Sequence, residues 1–502
     1  VPRAHRRRFV PRRWRRSRAM TIAALSVASE AYPLVKTGGL ADVVGALPAA
    51  LAPHDVAVTT LLPGYPAVLR SLDKPRAIHR WPDLLGTPAR LLAGTLDGTH
   101  PLLVLEAPVL FARDGGLYTD ALGRDWDDNW RRFAALSRAA ADLASGAVRG
   151  RRFDILHAHD WQAALSAAYL RYAPGPGTPA RTVVTVHNIA FQGRYDAAVF
   201  ADLALPAEAF AIDGVEYYGG VGLLKGGLES ADAITTVSPT YAREILDPAF
   251  GMGLEGLVAA HAARVTGIVN GIDPAVWNPA TDAALAARYT DRTLPRRAAN
   301  KRAVEAQFAL DAGDGPLFTV ISRLTWQKGM DVLAECLDAL VAAGGRLALL
   351  GSGDAALEHA FRLAADRHPG RIGVRIGYDE PVSHLLQGGA DAILIPSRFE
   401  PCGLTQLYGL AYGCVPVVAR TGGLADTVID ANEAALDAGV ATGIQFNHVS
   451  RDELHTAIAR TIALHATPDR WAMIQRRGMR SDFSWAKSGL RYAQLYRGLC
   501  TA

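Results

Sequence analysis

Short apolar runs recur along this 502-residue chain, spaced so that a helix fits between one run and the next. "TIAALSVASE", "VAVTTLLP", "PLLVLEAP", "FDILHAHD", "TVVTVHNI" and "DAITTVS" mark the first half. "LFTVISR", "RLALLGSG", "RIGVRIG", "DAILIPS" and "VPVVAR" mark the second. Several are continuous Val/Ile/Leu runs, the pattern of parallel strands covered on both faces. Segments such as 129–147 and 330–343 lie between them and read as helices. This βαβ rhythm predicts an α/β fold of doubly wound sheets, and the length exceeds what one core usually serves.

The rhythm breaks once, at 261–316, where "GIVNGIDPAVWNPATD" and an Arg-rich stretch intervene. A hinge is expected at about 262–270, separating two Rossmann-like domains at 20–265 and 266–485. The closing "WAKSGLRYAQLYRGL" is amphipathic, so 486–502 is expected to be a helix packed back on the first domain.

Half the residues are hydrophobic and a fifth are charged, the balance of a soluble globular enzyme. No apolar run approaches the ~20 residues that span a bilayer. The net charge of +4 is set by residues 1–19, which hold nine Arg and no acid; without them 44 basic residues face 49 acidic ones. That arm is expected to be disordered, with Met20 as the natural start, and no nucleic-acid or membrane partner is expected. Cys336, Cys402, Cys414 and Cys500 show no paired or metal-ligand spacing, which fits a reducing cytoplasm.

Open α/β sheets bind ligands at the carboxyl ends of their strands, so the residues after each strand are the ones to read. The first strand leads into "SEAYPLVKTGGLADVV". Lys36 beside Gly38 and Gly39, with a helix starting near Leu40, makes an anion site of little steric bulk. "HAHDW" and "VHNIAFQG" place Asp160, Trp161, His187 and Asn188 at two further strand ends; a carboxylate suits sugar hydroxyls and an indole face suits a sugar ring. His157 and His159 hint at a metal, but the ligand count stops short and the two rings are expected on opposite faces.

In the second half "GSGDAA" imitates a dinucleotide fingerprint, yet its partner acid is missing, so Gly351 and Gly353 read as close helix–strand packing. "ISRLTWQKG" sends Arg323 and Lys328 out of a strand, and "SRFEPCGLTQLYGLAYG" puts Glu400 before Cys402-Gly403 and a helix starting near Leu404-Thr405. Lys36, Arg323 and Lys328, with helix N-termini and one carboxylate, suit a diphosphate leaving group whose charge grows as its bond to a sugar breaks.

"KTGGLADVVGALP", "HDWQAAL", "HNIAFQG", "VNGID", "SRLTWQKG" and "SRFEPCGLTQLYGLAYG" together resemble the ADP-glucose-dependent glucan synthases, bacterial glycogen synthase and plant starch synthase. The resemblance covers nearly everything beyond residue 19. It implies a GT-B fold, two Rossmann-like domains facing each other across a deep cleft. It implies retaining transfer of glucose from ADP-glucose to the 4-hydroxyl of a glycogen or linear α-1,4-glucan acceptor, with no cofactor and no metal. By the same resemblance Lys36 and Asp42 lie at the donor, Arg323 and Lys328 neutralise the diphosphate, and Leu404-Thr405 cap it. Tyr378 packs on adenine, and the His187 carbonyl faces the reacting carbon. Asp160 and Asn270 face the sugar or acceptor, with Tyr118 nearby. Tyr408 stands where broader nucleotide-sugar transferases carry a second Glu. The rivals are a UDP-glucose or small-acceptor transferase and a catalytically silent glucan-binding protein.

One internal repeat is left over. "TGGLADVV" at 37–44 returns as "TGGLADTV" at 421–428 with unrelated flanks. The first copy is expected to bind donor; the second reads equally as a cleft rim or as close backbone packing.

Overall fold

The computed structural model describes residues 21–501, so the Arg-rich arm lies outside the described residues. A nine-stranded sheet is built in chain order from β1 (Ile22–Val27), β2 (Val56–Pro63), β3 (Asp73–Trp81), β4 (Ala89–Leu96), β5 (His100–Glu106), β6 (Ile155–His159) and β7 (Arg181–Val186). β8 (Arg194–Tyr195), β9 (Glu216–Tyr217) and β10 (Gly220–Gly222) form a small sheet of their own, after which β11 (Ala233–Thr236) and β12 (Val265–Gly267) complete the first. The second large sheet holds β13 (Leu317–Ile321), β14 (Arg346–Gly351), β15 (Ile372–Ile376), β16 (Ala392–Ile395), β17 (Val415–Ala419) and β18 (Ile444–Phe446).

All the apolar runs become strands. Their residues are buried on both faces, as in β6 and β14, which are buried along their whole length. Every pairing in the second sheet is parallel. The first sheet is parallel from β12 through β5 and ends in the antiparallel meander β5-β4-β3. The apolar pattern did not reveal β3. Its "DKPRAIHRW" is charged, Pro-bearing and mostly exposed, the make-up of an edge strand that discourages pairing with another chain.

The strand order decides where a ligand sits. The first sheet runs β12-β11-β7-β6-β1-β2-β5-β4-β3, so the winding reverses between β6 and β1. The second runs β15-β14-β13-β16-β17-β18, with its reversal between β13 and β16. Crossover chains leave a crevice at such points, because the two loops depart in opposite directions.

The final helix, Trp485–Thr501, lies against the Gly39–Leu51 helix of the first sheet, and its Trp485, Tyr492 and Tyr496 join that sheet's core with Val43, Leu47 and Leu51. No helix of the described residues is long and apolar enough to cross a membrane.

Candidate active site between the two switch points

Four loops leave the two reversals: residues 29–38 after β1, Asp160 after β6, residues 322–329 after β13 and residues 396–404 after β16. A cavity of about 520 Å³ opens between the loops after β1 and β13, lined by Lys36, Asp42, Arg323, Tyr378, Thr405 and Tyr408 among others. Gly39 and Leu404 approach each other here, since a Cβ on Gly39 would lie 3.7 Å from the Leu404 side chain.

Lys36, Thr37, Gly38 and Gly39 are all open to solvent, and Lys36 donates to Asp42 at 2.8 Å. Burial pushes the Asp42 carboxyl up, against the Lys36 ammonium that pulls it down. Glu30, which no sequence motif singled out, organises this loop. Its carboxylate takes the Thr37 N–H, the Thr37 hydroxyl at 2.8 Å and the Tyr118 hydroxyl at 2.9 Å, and Tyr118 also meets Ser29 at 2.7 Å. The only signal for Glu30 in the sequence is its place as the acid directly after β1.

Lys328, Glu400, His187, Asp160, Asn270 and Cys402 do not line the open cavity. Lys328 donates to Glu400 at 2.5 Å, and the Ser397 hydroxyl donates to the same carboxylate at 2.8 Å. The Glu400 and Lys328 side chains are 10% and 15% exposed, so the pair is poorly screened and held firmly. Among the described residues Arg323 makes one long side-chain hydrogen bond, to Gln327 at 3.4 Å, which leaves its guanidinium available to a ligand. Burial pushes the Cys402 thiol up to about 12, so it stays protonated and is no nucleophile at neutral pH. Asn270 is buried, and among the described residues its Oδ1 has no hydrogen-bond partner. Gly403 and Thr405 frame the start of the Thr405–Tyr412 helix, and Asn188, half-buried, turns the loop after β7.

Asp160 has its own geometry. It holds φ +56° and ψ −174°, a conformation that costs a non-glycine residue about 1–3 kcal/mol. Its carboxylate accepts the His187 N–H at 2.6 Å, which fixes the His187 backbone. Burial pushes the Asp160 carboxyl up to about 8, against two backbone N–H bonds that favour its charged form. The Asp160 side chain therefore addresses the His187 loop in this structure. Trp161 is buried edge-on against Phe133, with ring centroids 5.1 Å apart, and a Cβ on Gly193 would collide with its indole. It is a packing residue here, not an open face for a sugar.

The expectation that His157 and His159 point to opposite faces was wrong. Residues two apart in a strand share a face, and the rings lie 4.1 Å apart. His159 meets His187 at 3.0 Å and Ser26 at 3.2 Å; His157 meets Thr185 at 2.5 Å and Tyr496 at 2.7 Å. Burial lowers all three histidines, His157 and His187 to about 3. They are neutral hydrogen-bonding groups. Among the described residues no set of three or more His, Cys, Asp or Glu is placed to hold a metal ion.

Gly351 and Gly353 are packing glycines, pressed on the Ser322 and Leu324 carbonyls of the loop after β13 rather than on a helix. Tyr378 stands at the cavity wall, 68% exposed. Tyr408 stacks on Trp277 at 3.6 Å and 10°, and Trp277 stacks in turn on His384 at 3.9 Å. An aromatic stack thus occupies the wall at the position where broader transferases carry their second Glu. Trp277 and His384 carried no signal in the sequence because their partners lie on other elements.

Two family models match the chain, the starch synthase catalytic domain over residues 24–260 and the group 1 glycosyl transferases over 303–477. Glycogen synthase of Novosphingobium aromaticivorans is 68% identical over 96% of this chain and 99% of its own length. The chain belongs to the glycogen synthase family. Glycogen synthase 1 of Rhizobium meliloti is 61% identical over 95% of the chain and 98% of its own. Among solved structures, the catalytic domain of starch synthase IV from Arabidopsis thaliana, bound to ADP and acarbose, matches with a TM-score of 0.86 at 30% identity, over 96% of this chain and 100% of that one. Like the rest of the glycogen synthase family, the chain is a glycosyltransferase, and its two facing sheets are the GT-B fold.

Proposed function

We propose that this chain moves glucose from ADP-glucose to the 4-hydroxyl at the non-reducing end of glycogen or a linear α-1,4-glucan, with retention, in the cytoplasm. The observation that carries the reading is the pairing of two switch-point crevices at one cavity, which Lys36 of the first sheet and Arg323 of the second both line, with the Lys328–Glu400 pair on the loops leaving the second crevice. The 68% identity to a glycogen synthase over nearly the whole chain supports glycogen as the product, and the ADP bound by the starch synthase IV structure supports the nucleotide.

Arg323, in the cavity wall, and Lys36 meet the diphosphate, and the Leu404-Thr405 backbone caps it at a helix N-terminus. An arriving diphosphate competes with Glu400 for Lys328, which releases Glu400 oxygens for sugar hydroxyls. Charge on the diphosphate grows as the C1–O bond breaks, so these cations bind the transition state more tightly than the ground state. The His187 carbonyl, fixed by Asp160 through the adjoining N–H, faces the electron-poor C1. The acceptor hydroxyl enters on the face the diphosphate leaves; its oxygen bonds to C1 and its proton passes to the departing phosphate oxygen beside it. Tyr378, with the Tyr408–Trp277 stack near it, gives the adenine a flat apolar wall.

The test is glucose incorporation into glycogen from ADP-glucose and UDP-glucose in parallel, with EDTA present. Strong transfer from ADP-glucose in EDTA is expected. Transfer from UDP-glucose alone overturns the donor, and no transfer from either in folded protein leaves a glucan-binding protein.

A further inference from the structure

The repeated octapeptide makes the same kinds of hydrogen bond twice, and the second time it makes them between the two large sheets. In the first copy Thr37 gives its N–H and hydroxyl to Glu30, and Asp42 grips Lys36, so every partner lies in the same loop or the helix it enters. In the second copy the hydroxyl of Thr421 and the N–H of Gly422 go to Glu244 at 3.0 and 2.9 Å. Asp426 takes the N–H and hydroxyl of Thr240, both at 2.7 Å. Glu244 and Thr240 belong to the short helix Pro239–Glu244, which comes after β11 of the first sheet. Residues 421–424 come after β17 of the second and are buried, whereas residues 37–39 are open.

The Pro239–Glu244 helix reaches both halves of the site. Its Tyr241, 1% exposed, accepts the Ile189 N–H at 3.0 Å, two residues after His187. Ser238, at its start, accepts the Tyr241 N–H at 3.1 Å and donates to the Pro401 carbonyl at 2.7 Å, the residue after Glu400. On the far side Gly423 donates to the Glu400 carbonyl at 3.0 Å. A Cβ on Gly422 would collide with that carbonyl oxygen and one on Gly423 with the Cys402 carbonyl oxygen, so only a Gly-Gly turn fits beneath the Glu400 turn.

We propose that Glu244 and Asp426 are positioning residues: they lock the second Thr-Gly-Gly turn to the Pro239–Glu244 helix and so fix the Glu400 turn relative to the His187 loop. The proposal rests on the reading of the cleft as a glucosyl-transfer site. Neither residue lines the cavity. Their work is to hold two reacting surfaces, carried by separate sheets, in one register, where a misplacement of about 1 Å costs on the order of 100-fold in rate. Because the contact lies between the ends of β11 and β17 and away from the cavity, it acts as a bearing on which the two sheets stay engaged while the open side of the cleft admits donor and glucan.

The experiment uses the full chain with Glu244→Ala, Asp426→Ala, the double variant, and the conservative Glu244→Gln and Asp426→Asn. Transfer from ADP-glucose to glycogen, ADP affinity by calorimetry, melting temperature and radius of gyration by solution scattering are measured together. The Ala variants are expected to lose between about 10- and 100-fold in kcat while ADP affinity stays within about twofold and the scattering radius rises. Glu244→Gln keeps an amide oxygen for both bonds from Thr421 and Gly422 and restores most of the rate. The double variant is no slower than the slower single one, since both residues serve one contact. Unchanged kcat in both Ala variants overturns the proposal, as does ADP affinity falling in step with kcat, which marks local damage to the second sheet. If the wild type transfers nothing from ADP-glucose, the functional reading fails; the clamp then stands or falls on the scattering radius alone, and an unchanged radius in the Ala variants sinks it.

Discussion

Lys328 and Glu400 meet at 2.5 Å, largely hidden from solvent. Lys328→Ala is expected to cut kcat about 100- to 1,000-fold, the usual loss when one preorganised charge is removed from a transition state. Arg323→Ala, which removes a cation with no firm partner among the described residues, is expected to raise KM for the donor as well as lower kcat. Steady-state kinetics on folded variants check both, and near-normal turnover removes those residues from the mechanism. Cys402 is the contrasting case. Its thiol is buried and stays protonated, so Cys402→Ser is expected to keep nearly full activity. A loss beyond about tenfold in that variant means the sulfur itself matters.

Among elements, the terminal helix binds the chain's end to its beginning. Tyr492 and Tyr496 are fully buried in the core shared with β1, β2 and β6, and Tyr496 bonds to His157 at 2.7 Å. Tyr492→Ala is expected to cost about 3–5 kcal/mol, the range for emptying a large aromatic from a packed core. Chemical denaturation reads this directly, and a loss under about 1 kcal/mol means the helix is only loosely attached. The strands themselves were plain in the sequence, because a strand buried on both faces must be apolar throughout. The edge strand β3 was not, because its exposed face carries the charges of a surface loop.

For the whole molecule, the buried histidines bear on stability in acid. His157, His159 and His187 are held neutral by burial, with values lowered from 6.5, to about 3 for His157 and His187. Unfolding frees each to take a proton, so the stability they confer is complete above about pH 6.5 and drains away as pH falls toward 3. Asp160 runs the other way: raised to about 8, it confers stability that is full below the ordinary carboxylate range and is lost as pH rises through 8. Burial raises Asp42 and Glu244 as well and lowers His100; with the histidine shifts the larger set, melting temperature is expected to fall from about pH 6.5 to about pH 4, each uncompensated histidine contributing roughly 1 kcal/mol per pH unit. A melting temperature flat over that range refutes the neutral cluster; a His157→Asn variant with a shallower slope supports it.

The sequence by itself settled which segments form the central strands of both sheets, that these are parallel, and which loops carry Lys36, Arg323, Lys328 and Glu400. These are local properties: apolar runs set burial, and the residues just past a strand's carboxyl end sit at the ligand crevice. Glu30, Trp277 and His384 were invisible because their meaning comes from partners on other elements. The octapeptide repeat shows the division most clearly. Two nearly identical stretches carry the same hydrogen-bonding groups, and nothing in their letters says that one faces an open cavity and the other lies buried beneath Glu400. Only the fold brings Glu244 to Gly422, 178 residues along the chain, and makes of the second copy a contact between the two sheets.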